Sequence, residues 1–284
     1  MECFKINKKV SFLLFLVNVV WFIAQADAYV LQGPHLLELM TQNLGKSKRL
    51  LISQKLILYD NSRQDGLEFN ETLKYIFPET FRSDIISENV QRIHVLSKGE
   101  ALTVIDGKAV AASETIYGRY KDIFLYNSRV LLEEKLFLHG VDVDVSSLGR
   151  FQGQPVYVVG AQYPDETVPQ IWLTKDTFRP LRWIITGKTA ENSEDTLEVR
   201  YLDWLPLNKR WYPMRIEFYR DDILVREIKV QNIETKPIFT EDLFDIDHLK
   251  SIYLPDASKR SEQGAEKDLN EVQKTIEEFK KIYE

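Results

Sequence analysis

The chain has 284 residues, with 37 Lys+Arg against 43 Asp+Glu, a net charge of −6, 44% apolar residues and 28% charged ones. This is globular composition, which excludes wholesale disorder, and the acidic balance argues against a nucleic-acid binder, which needs a basic footprint. Four His and a single Cys leave little material for a metal centre.

Lys5, Lys8 and Lys9 precede an apolar stretch from Val10 to Ile23, and Ala26-Asp27-Ala28 follows with small residues where a signal peptidase reads. Residues 1–28 are therefore expected to be a cleavable signal peptide cut after Ala28. The apolar run contains Asn18 and is too short for a stable span of a ~30 Å hydrocarbon core, which favours a leader over an anchor. Cys3 lies ahead of the apolar run and cannot be the lipid-bearing cysteine of a lipoprotein. The remainder has no Cys, so an exported chain would depend on its core instead of disulfides. The expected destination is the periplasm of a bacterium with two membranes, or the medium.

Gly33-Pro34 should open a short helix with Leu37, Met40 and Leu44 on one side and Gly45 at its end. Strand-like segments follow. Leu67, Phe69, Leu73, Tyr75 and Phe77 share one parity; segments 89–97 and 100–105 meet at Lys98-Gly99, and Asp106-Gly107 signals a tight hairpin. After a helical interval come segments at 153–160, 169–175, 180–187, 195–204, 211–219 and 223–234. Short local turns between them imply antiparallel neighbours. The total is about ten or eleven strands, suited to a strongly curved sheet or an incomplete barrel.

Residues 120–138 carry apolar side chains on several sides when projected as a helix: Tyr120, Phe124, Leu131 and Leu138 in one group, Leu125, Leu132 and Leu136 in a second, Ile123, Tyr126, Val130 and Phe137 in a third. Two readings fit, a buried crossover helix or a helix in the mouth of a half-barrel. Beyond Pro255 the chain turns polar and charged, then Leu269, Val272, Ile276, Phe279 and Tyr283 recur as a narrow helical seam. The expected organisation is a leader over 1–28, one domain over 29–254, and a charged linker with an amphipathic helix over 255–284.

Enzymatic constellations are missing from the sequence. There is no nucleophile elbow, and His35, His94, His139 and His248 have no zinc-ligand spacing. Asp142 and Asp144 could share a strand face as a carboxylate pair, although a solvated loop edge is the more ordinary place for them. No cofactor, metal or nucleic acid is expected, and no catalysis. Arg226 shares parity with Leu224, Ile228 and Val230 and so points to the apolar side, while Trp172, opposite in parity to Ile171 and Leu173, suggests a sheet covered on both faces.

The run Gly149-Arg150-Phe151-Gln152-Gly153-Gln154-Pro155-Val156-Tyr157-Val158-Val159-Gly160 is followed by Pro169-Gln170-Ile171-Trp172-Leu173 and Lys175-Asp176-Thr177-Phe178-Arg179-Pro180-Leu181-Arg182. Then come Trp211-Tyr212-Pro213-Met214-Arg215-Ile216-Glu217 and Thr240-Glu241-Asp242-Leu243-Phe244. In this order the segments resemble the LolA-like outer-membrane lipoprotein-sorting family, most firmly over 149–246. The resemblance implies an α+β fold, mainly β: an open antiparallel half-barrel of about eleven strands with helices in its mouth. It also implies a periplasmic carrier whose apolar cavity takes acyl chains of lipoproteins or lipids for transfer towards the outer membrane, between membrane-bound donor and acceptor proteins. A protein-binding or sensing module on the same scaffold is the alternative. The lipoprotein cysteine of the membrane-anchored receptor branch is missing. Candidate cavity residues are Phe124, Leu131, Leu138, Ile171, Leu173, Trp183, Ile216 and Phe218, with Arg226 as a contact to the lid.

Overall fold

Thirteen antiparallel strands form one sheet whose spatial order is β6-β5-β4-β3-β2-β1-β13-β12-β11-β10-β9-β8-β7. It is seen in a computed structural model that describes residues 30–59, 66–87, 90–110, 115–188, 194–208 and 210–253. The expected leader and the segment 255–284 lie outside the described residues.

The first meander comprises β1 (Arg49–Leu58), β2 (Leu67–Ile76), β3 (Thr80–Ile86), β4 (Gln91–Ser97), β5 (Glu100–Ile105) and β6 (Lys108–Val110). The second comprises β7 (Ser146–Phe151), β8 (Gln154–Val159), β9 (Gln170–Thr174), β10 (Pro180–Lys188), β11 (Glu194–Leu207), β12 (Arg210–Arg220) and β13 (Ile223–Glu234). They join where β1 pairs with β13, Leu56 opposite Ile228 and Leu58 opposite Arg226. This order leaves β6 and β7, consecutive in sequence, at opposite edges. The segment between them must therefore cross the whole sheet on one face. That necessity, more than helix propensity, puts helices in the mouth of the curved sheet.

Helix α1 (Gly33–Leu44) starts with Pro in its first turn and stops at Gly45, whose φ of 80° suits a residue without a Cβ. It buries Leu36, Leu37, Met40 and Leu44. The crossover is not one helix over 120–138. It is a 3-10 helix (Ile116–Lys121), a single turn α2 (Asp122–Leu125), a break at Tyr126, and α3 (Arg129–Leu138). Ser128 caps α3, its side chain accepting from the Leu131 N–H at 3.5 Å. The break divides the apolar groups: Ile123, Phe124 and Leu125 face inward from α2, and Leu132 and Leu136 from α3.

Two strands escape the periodicity. In β3, inward Phe81, Ser83 and Ile85 alternate with Arg82 and Asp84, so polar residues fall on both faces; Arg82 pairs with Asp84 at 2.9 Å and Lys74 with the same carboxylate. In β7, Gly149 lacks a side chain because a Cβ there would lie 2.7 Å from the Tyr163 ring. The outer face is covered locally. The short helix α4 (Ile246–Tyr253) lays Ile246 and Leu249 on Ile93, Val95, Leu102 and Val104. Trp172 packs outward with Val156, Val158, Phe151 and Tyr163, and its indole N–H donates to Gln170 at 2.8 Å. Between these patches runs a charged ladder, with Arg182 on Glu198 and Glu166 at 2.8 and 2.7 Å and Arg215 on Glu217 at 3.0 Å.

Candidate functional site

Strand alternation places Ile171, Leu173, Trp183, Ile185, Val199, Tyr201, Ile216, Phe218 and Ile228 on the inner face, and all are fully buried. The crossover lies against this wall. Phe124 packs between Tyr201, Tyr212 and Trp204, with ring centroids 5.6, 4.9 and 6.2 Å away. Tyr120 meets Phe218 edge-on at 5.6 Å. Each large side chain buried here is worth roughly 1.5–3 kcal/mol, so apolar contacts contribute strongly to holding the crossover on the wall.

Directed bonds pin the crossover as well. The Tyr201 hydroxyl donates to the Tyr120 carbonyl at 3.1 Å, and Arg119 Nη1 reaches the Thr186 carbonyl at 3.3 Å. Arg210, 2% exposed, donates from Nη2 to the Phe124 carbonyl at 3.0 Å and from Nη1 to the Gly45 carbonyl at 3.4 Å. It thereby bridges the C-terminal ends of α2 and α1, where helix carbonyls lack intrahelical partners and a cation is favoured. Burial lowers its pKa to about 10, and Phe77 stacks on the guanidinium at 4.2 Å. Asp122, fully buried, accepts from His139 Nε2 at 2.9 Å and Lys121 Nζ at 3.3 Å, with Lys135 Nζ at 3.7 Å. Burial pushes its pKa up, but these cationic partners and the His139 hydrogen bond outweigh it, and the carboxyl lies below its ordinary value. This cluster joins the crossover's first turn to the end of α3.

Towards the first meander the inner face carries polar groups among its buried apolar residues. Glu71 accepts from Gln54 Nε2 and Ser83 Oγ, both at 2.6 Å. His94 Nδ1 lies 3.0 Å from Thr103 Oγ1. Burial, with Arg92 and Lys121 adding to it, pushes the His94 pKa down to about 3. Between these residues and the 3-10 helix lies a cavity of about 50 Å³, with Arg92, Lys121 and Arg226 also in its lining.

No protein-family model and no curated protein matches the sequence. Solved structures do match the fold. A LolA superfamily protein from Nitrosomonas europaea superposes with a TM-score of 0.55 at 11% identity, over 77% of this chain and 100% of that one. A domain named for outer-membrane lipoprotein sorting from Vibrio parahaemolyticus gives 0.52 at 13% identity, over 77% and 98%. A DUF1329 family protein from Desulfovibrio piger gives 0.51 at 11%, over 76% and 97%. The fold is LolA-like.

On this LolA-like scaffold, six of the residues picked from sequence, Phe124, Ile171, Leu173, Trp183, Ile216 and Phe218, are buried on the inner face or the crossover. Arg226 also lies inward, its guanidinium 4.2 Å over the Tyr117 ring of the 3-10 helix and 5.6 Å from Phe218. Leu131 is half-buried, and Leu138, 70% exposed, sits outside the wall at the end of α3. Asp142 and Asp144 occupy an exposed turn, the Asp142 carboxylate accepting from the Asp144 N–H at 3.2 Å. Sequence reasoning missed Arg210 because it begins β12, where a basic residue after a turn looks ordinary. Its unusual position shows only when α1 and α2 converge on it.

Proposed function

We propose that the protein is a periplasmic carrier that takes acyl chains of lipids or lipoproteins onto the inner face of its sheet, with the crossover acting as the lid. The observation that carries the reading is an apolar wall, including Ile171, Trp183, Ile216 and Phe218, covered by a segment that lays Phe124 and Tyr120 on it. The cavity beneath the 3-10 helix, about 50 Å³, has room for a few waters, so an acyl chain on the inner face would require the crossover to lift. Lifting the crossover would free Phe124, Ile123 and Leu125 from the wall. An acyl chain gains about 0.8 kcal/mol per buried CH₂ and could take their place. The work is binding and release, with no bond made or broken. Solved proteins of the same fold include one named for outer-membrane lipoprotein sorting, which agrees with cargo of this kind.

The test is mass spectrometry of lipids extracted under denaturing conditions from the purified protein, together with uptake of a fluorescent fatty acid. Stoichiometric lipid or saturable uptake supports the carrier. An empty protein that takes up no fatty acid refutes it. A second reading, a module that docks an envelope protein, is favoured by Val130, Phe137 and Leu138, which stand 63, 74 and 70% exposed on α3. Aspartate at Phe137 would then abolish partner capture while leaving lipid uptake intact.

A further inference from the structure

Three arginines in the second meander lie stacked on aromatic rings, and two of them carry a carboxylate. Arg182 sits on Trp172 and Phe151 and pairs with Glu198 and Glu166 at 2.8 and 2.7 Å. Arg200 sits on Tyr219 and pairs with Glu198. Arg179, in the turn between β9 and β10, differs. Its guanidinium carbon lies 4.4 Å from the Trp211 ring centroid and 6.0 Å from that of Trp204. Its Nε donates to the Thr177 hydroxyl at 2.9 Å, and that hydroxyl is held by Thr174 Oγ1 at 2.6 Å. Among the described residues no carboxylate pairs with Arg179, and its two Nη groups have no hydrogen-bond partner. Asp176 shares the turn but is exposed, and burial alone moves the Arg179 pKa, downward. Stacking fixes the plane of a guanidinium and leaves its in-plane N–H groups to donate. Arg179 is thus an oriented cation without its counter-ion.

We infer that this turn and the adjoining end of the β11–β12 hairpin form a contact site for the phosphates of an anionic phospholipid surface. Three observations support it. The two free Nη groups of Arg179 offer the fork that phosphate oxygens accept, and exposed Lys175 adds a second cation in the same turn. The platform under the guanidinium is two half-buried tryptophans, rings whose apolar body and polar edge suit the headgroup level of a bilayer. Beside them Leu205 is 44% exposed and Pro206 is exposed, so apolar surface continues along the hairpin end. The chain as a whole carries a charge of −6 and is repelled by an anionic surface, so contact depends on such a local arrangement. Trp204 also lies 6.2 Å from Phe124, so contact at this end sets the end of α2 beside the lipid. The inference does not rest on the acyl-carrier reading, because surface contact and acyl uptake are separate events.

The experiment sediments the purified protein with vesicles of phosphatidylcholine alone and of phosphatidylcholine mixed with phosphatidylglycerol. The inference expects binding to the mixed vesicles and little to the neutral ones. Arg179→Gln should weaken binding to the mixed vesicles about fivefold, the share of one basic residue near an anionic surface, and Arg179→Lys should retain part of it. Brominated phosphatidylcholine placed in the mixed vesicles should quench tryptophan emission, and Trp204→Phe with Trp211→Phe should remove the larger part of that quenching. No binding to the mixed vesicles, or equal binding to both kinds, overturns the inference. So does quenching undiminished in the double variant, which would put the contact elsewhere on the molecule. Release from the vesicles by inorganic phosphate, where sodium chloride of the same ionic strength releases none, overturns the lipid surface and assigns Arg179 to a free anion. The wild-type comparison between vesicles decides the matter even if a variant fails to fold. Fatty-acid uptake is read separately, so its failure sinks the carrier and leaves the contact site standing.

Discussion

His94 couples the inner face of the first meander to pH. It is 5% exposed, beside Thr103, and its folded pKa of about 3 lies well below the ordinary 6.5. The unfolded chain takes up a proton near pH 6.5, whereas the folded chain resists it to about pH 3. Linkage therefore favours unfolding as pH falls through that window, and stability is full only above 6.5. Each pH unit below 6.5 costs about 1.4 kcal/mol, so about 2 kcal/mol is lost between pH 7.5 and pH 5. Asp122 does not contribute there: its lowered folded pKa makes its stability disappear only below the unfolded value near 4. Urea unfolding of the wild type and His94→Gln at both pH values isolates the effect. The variant, unable to titrate at this position, should lose about 2 kcal/mol less on acidification. Equal losses in the two proteins would refute the reasoning, as would an NMR titration that finds His94 protonated at pH 5.

A lid must move. A Cβ at Gly187 would stand 3.9 Å from Ile116 Cγ1, so Ile116→Cys with Gly187→Cys places two sulfurs within bonding reach; the oxidised protein should lose fatty-acid uptake and regain it on reduction, and unchanged uptake when oxidised would show that the start of the crossover stays in place. Arg210→Met removes charged hydrogen bonds worth roughly 1.5–3 kcal/mol each in comparable settings, and should lower stability and speed amide exchange in residues 115–126. Exchange raised uniformly across the sheet would instead make Arg210 a general core residue. Asp122→Asn leaves Lys121 buried without its carboxylate and should cost about 3–5 kcal/mol at pH 7, with the deficit shrinking below pH 4 as the wild-type carboxylate protonates; a deficit independent of pH would exclude the ionic origin.

Much of the fold was legible because strands announce themselves by parity and turns by residue type. The hairpins at Lys98-Gly99 and Asp106-Gly107 formed where expected, with positive φ at all four residues. Strands β3 and β7 were hidden for opposite reasons. An ion-paired outer face makes β3 look polar throughout, and β7 gives up a side chain at Gly149 to a tyrosine contributed by a distant loop. The crossover shows the same divide. Its apolar groups on several sides are evident from residues 120–138, but the break at Tyr126 is not, because a lone Ser128 cap in an apolar run is a weak stop signal.

The sequence by itself determined the antiparallel class of this protein, its inward and outward residues on most strands, and the inward aim of Arg226. These depend on local geometry with a period of two residues, and so survive without knowledge of neighbours. Tertiary structure alone decided that β6 and β7 stand at opposite edges, that the connection must therefore cross the sheet as a plug, and that Arg210 ties two helix ends together. It also brought Arg92, Lys121 and Arg226 around one small cavity. Such meetings join residues far apart in the chain, and their energies arise only when burial removes the water that would otherwise solvate each group separately.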